Sequence, residues 1–314
     1  MKVVAFAGGV GGAKLVAGLA KILSPEDLSI IVNIGDDFEY LSLQISPDLD
    51  TICYTLAGLA NPSTGWGRVD DTWITFEQIK TLDGPDWFQL GDKDLAVHLI
   101  RTQRLHQGWT LSEVTRDFCE HWGIEHRIFP MSDDPVRTIV HTSAGEQLGF
   151  QEYFVHQACA PIVKSFEFVG ATQAKPQSEA MRKIEESDLL LFAPSNPWVS
   201  IDPILAVPGY RKVLAQKMVV AVSPIIGGKA VKGPAAKMFR ELGYQPSAAV
   251  IAEHYQDLLT GFVFDKVDRQ ELEKIERWRI ICLVTDTLMK NDQDRIRLAE
   301  QVLNFSEAIL NRSH

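Results

Sequence analysis

The chain has 314 residues, 46% of them apolar, and its 31 Lys plus Arg against 41 Asp plus Glu give a formal charge of -10, which disfavours nucleic acid or an anionic membrane as a partner. No apolar run reaches the length of a membrane span. The four cysteines, Cys53, Cys119, Cys159 and Cys282, show no C-x-x-C spacing and no charged segment precedes a long apolar run at the start, so we expect a cytoplasmic protein with reduced thiols and no zinc ribbon.

In chain order, Val3-Val4-Ala5-Phe6-Ala7 reads as a buried strand, Gly8-Gly9-Val10-Gly11-Gly12 as a turn, and the stretch from Ala13 as a helix. Unpaired N–H groups and the positive dipole end at such a helix start favour an anion, and glycines let a phosphate approach closely. The dinucleotide fingerprint requires glycine where Lys14 stands. The P-loop pattern requires glycine at Ala13 and a hydroxyl at Leu15. The turn is therefore a phosphate loop of another kind, the bland alternative being a tight turn with no ligand.

Leu28 to Asn33 is a second strand, ending in Gly35-Asp36-Asp37. A strand-helix-strand unit of this kind places Asn33, Asp36 and Asp37 at the carboxyl edge of a parallel sheet, beside the glycine turn. Ser46-Pro47-Asp48-Leu49-Asp50-Thr51 reads as an acidic loop feeding a helix from Ile52. Residues 61–123 form a candidate helical insertion or lid, with Trp66, Trp73, Trp87 and Trp109 expected to fill a small satellite core. Beyond it lie sheet-like runs at 137–141 and 162–169, a helix at 179–186, strands at 188–193 and 218–222 that end in Ser195-Asn196-Pro197 and Ser223-Pro224, and a packing helix from Asp292. We expect one doubly wound, mainly parallel, Rossmann-like α/β domain over residues 1–314 with its working loops on one edge.

Asp36 and Asp50 sit near the glycine turn, and two carboxylates beside a diphosphate are what Mg²⁺ commonly takes from a protein; Asp37 and Asp48 are reserves. His98 and Arg101 lie three apart, on neighbouring positions of one helix face, where they can clamp a second anionic group or merely be solvated. Met131 to Thr138 reads as a cap or turn. There is no G-x-S-x-G elbow and no H-E-x-x-H, which leaves phosphoryl chemistry.

Taken together, Gly8 to Lys14, Asn33 to Asp37, Ser46 to Thr51, Leu90-Gly91-Asp92 with His98 and Arg101-Thr102, Met131 to Pro135, Ser195 to Pro197 and Ser223 to Gly227 resemble the 2-phospho-L-lactate transferase (CofD or FbiA) family of deazaflavin coenzyme F-420 biosynthesis, over nearly the whole chain. The resemblance implies transfer of a phospho-acid, 2-phospho-L-lactate or phosphoenolpyruvate, from a guanosine diphospho-acid to the ribityl hydroxyl of Fo, a riboflavin-like deazaflavin, with GMP leaving. It implies that Gly8, Gly9, Gly11, Gly12, Lys14, Asn33, Ser195, Asn196 and Pro197 hold phosphates and nucleoside, and that Asp36 and Asp50 hold Mg²⁺. Asp50 and Asp37 would be catalytic, Asp50 serving as ligand or as base, and Asp50, Thr51, Gln89, His98 and Arg101 would face Fo. Gln89 stands where the family often has a basic residue. The implied partners are small molecules, with a homodimer as the expected assembly. A nucleotide-sugar-binding regulatory protein and a dehydrogenase are the rival readings; the Ser46 to Thr51 block argues against the first and Lys14 against the second.

Overall fold

Apolar runs that are buried along their whole length dictate the centre of the molecule. A computed structural model describes residues 1–231 and 233–312. Its main sheet contains β1 (Val3–Ala7), β2 (Leu28–Val32), β3 (Arg127–Pro130), β4 (Leu189–Phe192), β5 (Val219–Val222), β6 (Gly261–Asp265) and β7 (Ile281–Thr285). The spatial order is 3-2-1-4-5-6-7 and every neighbouring pair is parallel. Strands β1, β2, β4, β5 and β6 have every residue buried, as parallel strands covered on both faces require. Chain order reverses between β1 and β4, and at such a switch point the strand ends leave a crevice for ligands.

Helix α1 (Gly9–Ile22) leads from β1 to β2 and starts inside the glycine run rather than after it. Two of its glycines are demanded by close approach. A Cβ on Gly11 would collide with the Pro194 carbonyl oxygen in the loop after β4, and one on Gly18 would collide with the Arg295 carbonyl oxygen. Arg295 belongs to the last helix, α5 (Asp292–Leu310), which buries Leu298, Val302, Leu303 and Ile309 as the sequence pattern predicts.

Between β2 and β3 come a hairpin (Phe38–Tyr40 and Leu43–Ile45), α2 (Pro47–Leu56), a short helix at Ile74–Thr81, α3 (Asp92–His106) and α4 (Leu111–His121). Pro47 at the first helical position, where its missing N–H costs nothing, starts α2 five residues earlier than expected. Asp48, Asp50 and Thr51 are thus helical rather than loop residues. A Thr110–Glu113 capping box starts α4.

The expected tryptophan core is not what fills this region. Trp66, Trp73 and Trp109 are exposed, and only Trp87 packs inward, against Phe38, Tyr40 and Phe88. The other satellite core is built from Tyr54, Val97, Val114 and Phe118 with Trp122. The runs at Arg137–Thr142 and Val163–Val169, with Gln147–Gly149, form a separate antiparallel sheet. The carboxylates of Met131 to Thr138 act as caps and turn braces: Asp133 accepts from Ser112 N at 2.7 Å and Asp134 from Lys175 N at 2.8 Å.

Gly11→Ala is expected to destabilise the protein by about 1–3 kcal/mol, because a backbone carbonyl blocks the new methyl group. Gly149→Ala, whose Cβ would meet nothing within 4 Å, is the control. Urea midpoints of the two variants against the parent check it; equal midpoints would show that the α1 start and the post-β4 loop can separate freely.

Candidate functional site

A cavity of about 830 Å³ opens at the switch point, near the upper end of the size range for small-molecule sites. Gly8, Gly9, Gly11, Lys14, Asp36, Asp48, Asp50, Thr51, Gln89, His98, Ser195 and Asn196 all line it, so one hollow gathers most of the residues singled out from the sequence. Gly12, Asn33, Asp37, Arg101 and Pro197 are not part of its lining.

The glycine turn is held from two sides. Ser195 Oγ donates to Gly8 O at 2.9 Å and accepts from Gly8 N at 3.2 Å. Asp48 Oδ1 accepts from Gly9 N at 2.6 Å, so a carboxylate already takes one donor of the helix start. The N–H groups of Val10 and Gly11, in the first helical turn, have no intrahelical acceptor and remain the natural anion donors. Lys14 Nζ crosses the cavity's edge to donate to Met289 O at 2.9 Å, which brings Thr287, Leu288 and Met289 into the lining. Asn196 caps the π-helical turn Pro197–Ile201 through Trp198 N.

Asn33 braces instead of lining. Its amide nitrogen lies 2.9 Å from Asp48 Oδ2, 3.3 Å from Asp36 Oδ1 and 3.1 Å from Val199 O, and its oxygen accepts from Gly35 N. The amide thus draws Asp36 and Asp48 into one corner. Burial, then repulsion from Asp48 and Asp37, holds the Asp36 carboxyl well above its ordinary range. Burial likewise lifts Asp48 to about 6, against the hydrogen bonds from Asn33 and Gly9. Two hard oxygen donors that burial and mutual repulsion disfavour as anions are a donor set a divalent cation relieves.

Asp50 belongs to a different corner. Residues two apart on a helix point about 200° apart, so Asp48 faces the glycine turn while Asp50 faces α3. There Asp50 Oδ1 is ion-paired with Arg101, a residue only 2% exposed. Arg101 Nη1 also lies 3.0 Å from His98 Nδ1 and donates to Gln44 O at 3.3 Å. Arg101, expected to face Fo, pairs with a buried carboxylate and is not in the cavity lining. Because a guanidinium can only donate, His98 Nδ1 accepts and its proton sits on Nε2. One polar atom each from Asp50, Asp94 and His98 lies within 4.8 Å of the others, a spacing that suits a metal. The protonated Nε2 and the adjacent guanidinium make this corner the poorer cation site. Burial pushes Asp94 up, but His98, the 2.6 Å hydrogen bond from Tyr54 and the charge of Arg101 outweigh it and leave the carboxyl below its usual value.

Trp66, Trp87, Phe88, Phe150 and Phe154 give the cavity an aromatic wall. The Phe150 and Phe154 rings stack at an interplanar angle of 5°. Trp66 and Trp87 were visible as part of a dense tryptophan cluster. Phe150, Gln151 and Phe154 were not, since they sit on a π-helical turn, Glu152–His156 and its approach, whose period matches no sequence template.

Fold and site together define a doubly wound α/β protein with its ligand cleft at the carboxyl ends of β1 and β4. The profile of the 2-phospho-L-lactate transferase CofD family matches residues 3–301, and the chain belongs to that family. It is 39% identical over 316 residues to a phosphoenolpyruvate transferase of Streptomyces coelicolor, covering 98% of this chain and 99% of that one. It is 38% identical over 298 residues to a 2-phospho-L-lactate transferase of Methanosarcina mazei, covering 95% and 98%. A crystal structure of a UPF0052-family protein from Bacillus halodurans shares the fold, with a TM-score of 0.62 at 15% identity over 96% of this chain and 99% of that one.

Asp37 gives a pH test of the buried acidic edge. Burial raises its carboxyl to about 7, with Arg137 and the Ser46 hydroxyl pulling the other way. A folded-state value above the unfolded one means the contribution is full below about pH 4 and is lost as pH rises towards 7. In chelator-treated protein, Asp37→Asn is expected to remove up to about 4 kcal/mol of that decline. Thermal midpoints at pH 5 and pH 8 should show the variant gaining on the parent at the higher pH; a gap that does not change with pH would contradict the assignment.

Proposed function

We propose that the protein transfers a phospho-acid from a guanosine diphospho-acid to the terminal ribityl hydroxyl of Fo (7,8-didemethyl-8-hydroxy-5-deazariboflavin), forming the coenzyme F-420-0 skeleton and releasing GMP. The carrying observation is that one cavity joins a phosphate-type helix start, a corner of buried carboxylates and an aromatic wall suited to a flat ring system. The hydroxyl oxygen bonds to the phosphorus that bears the acid, the bond from that phosphorus to the GMP oxygen breaks, and the hydroxyl proton leaves.

The residues divide this work. The Val10 and Gly11 N–H groups with Lys14 bind and orient the diphosphate, and Ser195 keeps the turn in place. Asp36 and Asp48 would hold Mg²⁺, in place of the Asp36–Asp50 pair expected from the sequence, because Asn33 ties those two carboxylates together. Bound there, the ion supplies electrostatic stabilisation of charge on the phosphate oxygens. Asp50, freed from that duty, offers its unpaired oxygen to the acceptor hydroxyl. Relatives named for either acid stand at 38–39% identity, so both donors belong in the assay.

Purified protein given Fo, Mg²⁺ and each guanosine donor in turn should yield a Fo phosphodiester and GMP, identified by mass. Absence of product with every donor would overturn the assignment. Chelation should abolish transfer and added Mg²⁺ restore it. Asp36→Ala and Asp48→Ala are each expected to lower turnover about a hundredfold or more, the scale of losing one preorganised electrostatic element. Turnover unchanged in both variants would remove that corner from the reaction.

A further inference from the structure

The carboxylates of Asp36 and Asp48 bring four oxygens to one corner of the cavity, and each oxygen accepts from a neutral N–H group. Asp48 Oδ1 takes Gly9 N at 2.6 Å and Oδ2 takes the Asn33 amide at 2.9 Å, while the same amide lies 3.3 Å from Asp36 Oδ1. The fourth donor comes from a distant segment. Gln151 Nε2 donates to Asp36 Oδ2 at 3.1 Å, across a separation of 115 residues. Gln151 lines the cavity yet is only 6% exposed, so water competes weakly for this hydrogen bond.

The place of Gln151 and its side-chain type both bear on what it does there. It caps the π-helical turn Glu152–His156, and packing holds that turn on two sides. Tyr153 is fully buried with its hydroxyl accepting from Lys237 Nζ at 3.2 Å, and His156 stacks on Trp87 with ring centroids 5.1 Å apart. Phe150, the residue before Gln151, stacks on Phe154 with centroids 5.5 Å apart. The amide is thus aimed at Asp36 from a fixed base. An amide donates without carrying charge, so it orients the carboxylate, leaves each oxygen a further lone pair and cancels none of the corner's negative charge. A lysine at this position would bring a rival cation, and a glutamate would add repulsion.

We propose that Gln151 is a positioning residue for the divalent cation that Asp36 and Asp48 would hold: it fixes the Asp36 carboxylate from the aromatic side of the cavity and leaves the charge of the corner for the ion. This rests on the reading above for the presence of that ion. Asn33 and Gly9 brace the corner from the parallel sheet, and Gln151 braces it from the turn that carries Phe150 and Phe154.

Metal binding tests the idea separately from transfer. Mn²⁺, a paramagnetic stand-in for Mg²⁺, is titrated into the whole protein without Fo or donor and followed by electron paramagnetic resonance. Gln151→Met, similar in size but lacking a donor, should weaken Mn²⁺ binding about tenfold to a hundredfold, the range for losing the hydrogen-bond partner of a metal ligand. Gln151→Lys should suppress Mn²⁺ binding further, yet give chelator-treated protein a higher thermal midpoint than Gln151→Met, because its ammonium pairs with Asp36. A glutamine serving the fold alone would let metal affinity and stability fall together in both variants. In turnover, Gln151→Met should need roughly ten times more Mg²⁺ or beyond for half-maximal rate and regain the parent's rate at saturation, a recovery closed to Asp36→Ala. Unchanged Mn²⁺ affinity in Gln151→Met overturns the proposal, as does parent-like Mn²⁺ binding by Gln151→Lys or a parent that binds no Mn²⁺; if Gln151→Met does not fold, Gln151→Lys decides. Weakened Mn²⁺ binding in the variants of a protein that makes no product would sink the transferase reading and keep the role of Gln151; product formation with unchanged Mn²⁺ affinity would do the reverse.

Discussion

The Asp48 carboxylate is the tie on which the rest of the site depends. One oxygen takes the Gly9 N–H at the start of α1, and the other takes the Asn33 amide at the end of β2. A single side chain from α2 thereby fixes the first turn of one helix against the end of a neighbouring strand, across the switch point of the sheet. The arrangement is costly for an anion, as burial shows in its raised carboxyl. It is kept because three segments far apart in sequence must meet there with little freedom.

The helical start of α2 then decides how labour is divided among the acidic residues. In an irregular loop at Ser46 to Thr51, Asp48 and Asp50 would be free to turn to the same ligand. As helical positions two apart, they point about 200° apart. Asp48 joins Asp36 and Asn33 on the side of the glycine turn, and Asp50 joins Arg101 and His98 on the side of α3. Opposite electrostatic characters follow within one cavity: a corner with an excess of negative charge, and a corner where a guanidinium already balances it.

Much of this architecture is legible in the residues themselves. Val3 to Gly12 announces a strand, a glycine turn and a helix start, and Leu28 to Asp37 announces the next strand and its acidic end, because buried parallel strands leave continuous apolar runs. β6 and β7 are harder to read: Gly261–Asp265 and Ile281–Thr285 are short runs whose periodicity does not separate strand from buried helix. The gathering of Asp36, Asp50, His98 and Ser195 around one hollow follows from the doubly wound layout. The pairing of particular side chains does not, because it depends on the helical phase of Asp48 against Asp50 and on which way Arg101 turns. Exposed Trp66, Trp73 and Trp109 show the same limit, since composition counts aromatic rings without saying which ones face solvent.

Residues at opposite ends of the chain complete the ligand cleft. Lys14 reaches Met289, 275 residues further along, and Gly18 lies flush against Arg295, so the lysine edge of the hollow is closed by a distant stretch of chain. During synthesis the glycine turn emerges well before the residues that complete this wall. Such long-range closure is entropically late and slow. A chain that has not yet delivered residues 287–295 to this edge therefore lacks one wall of the hollow.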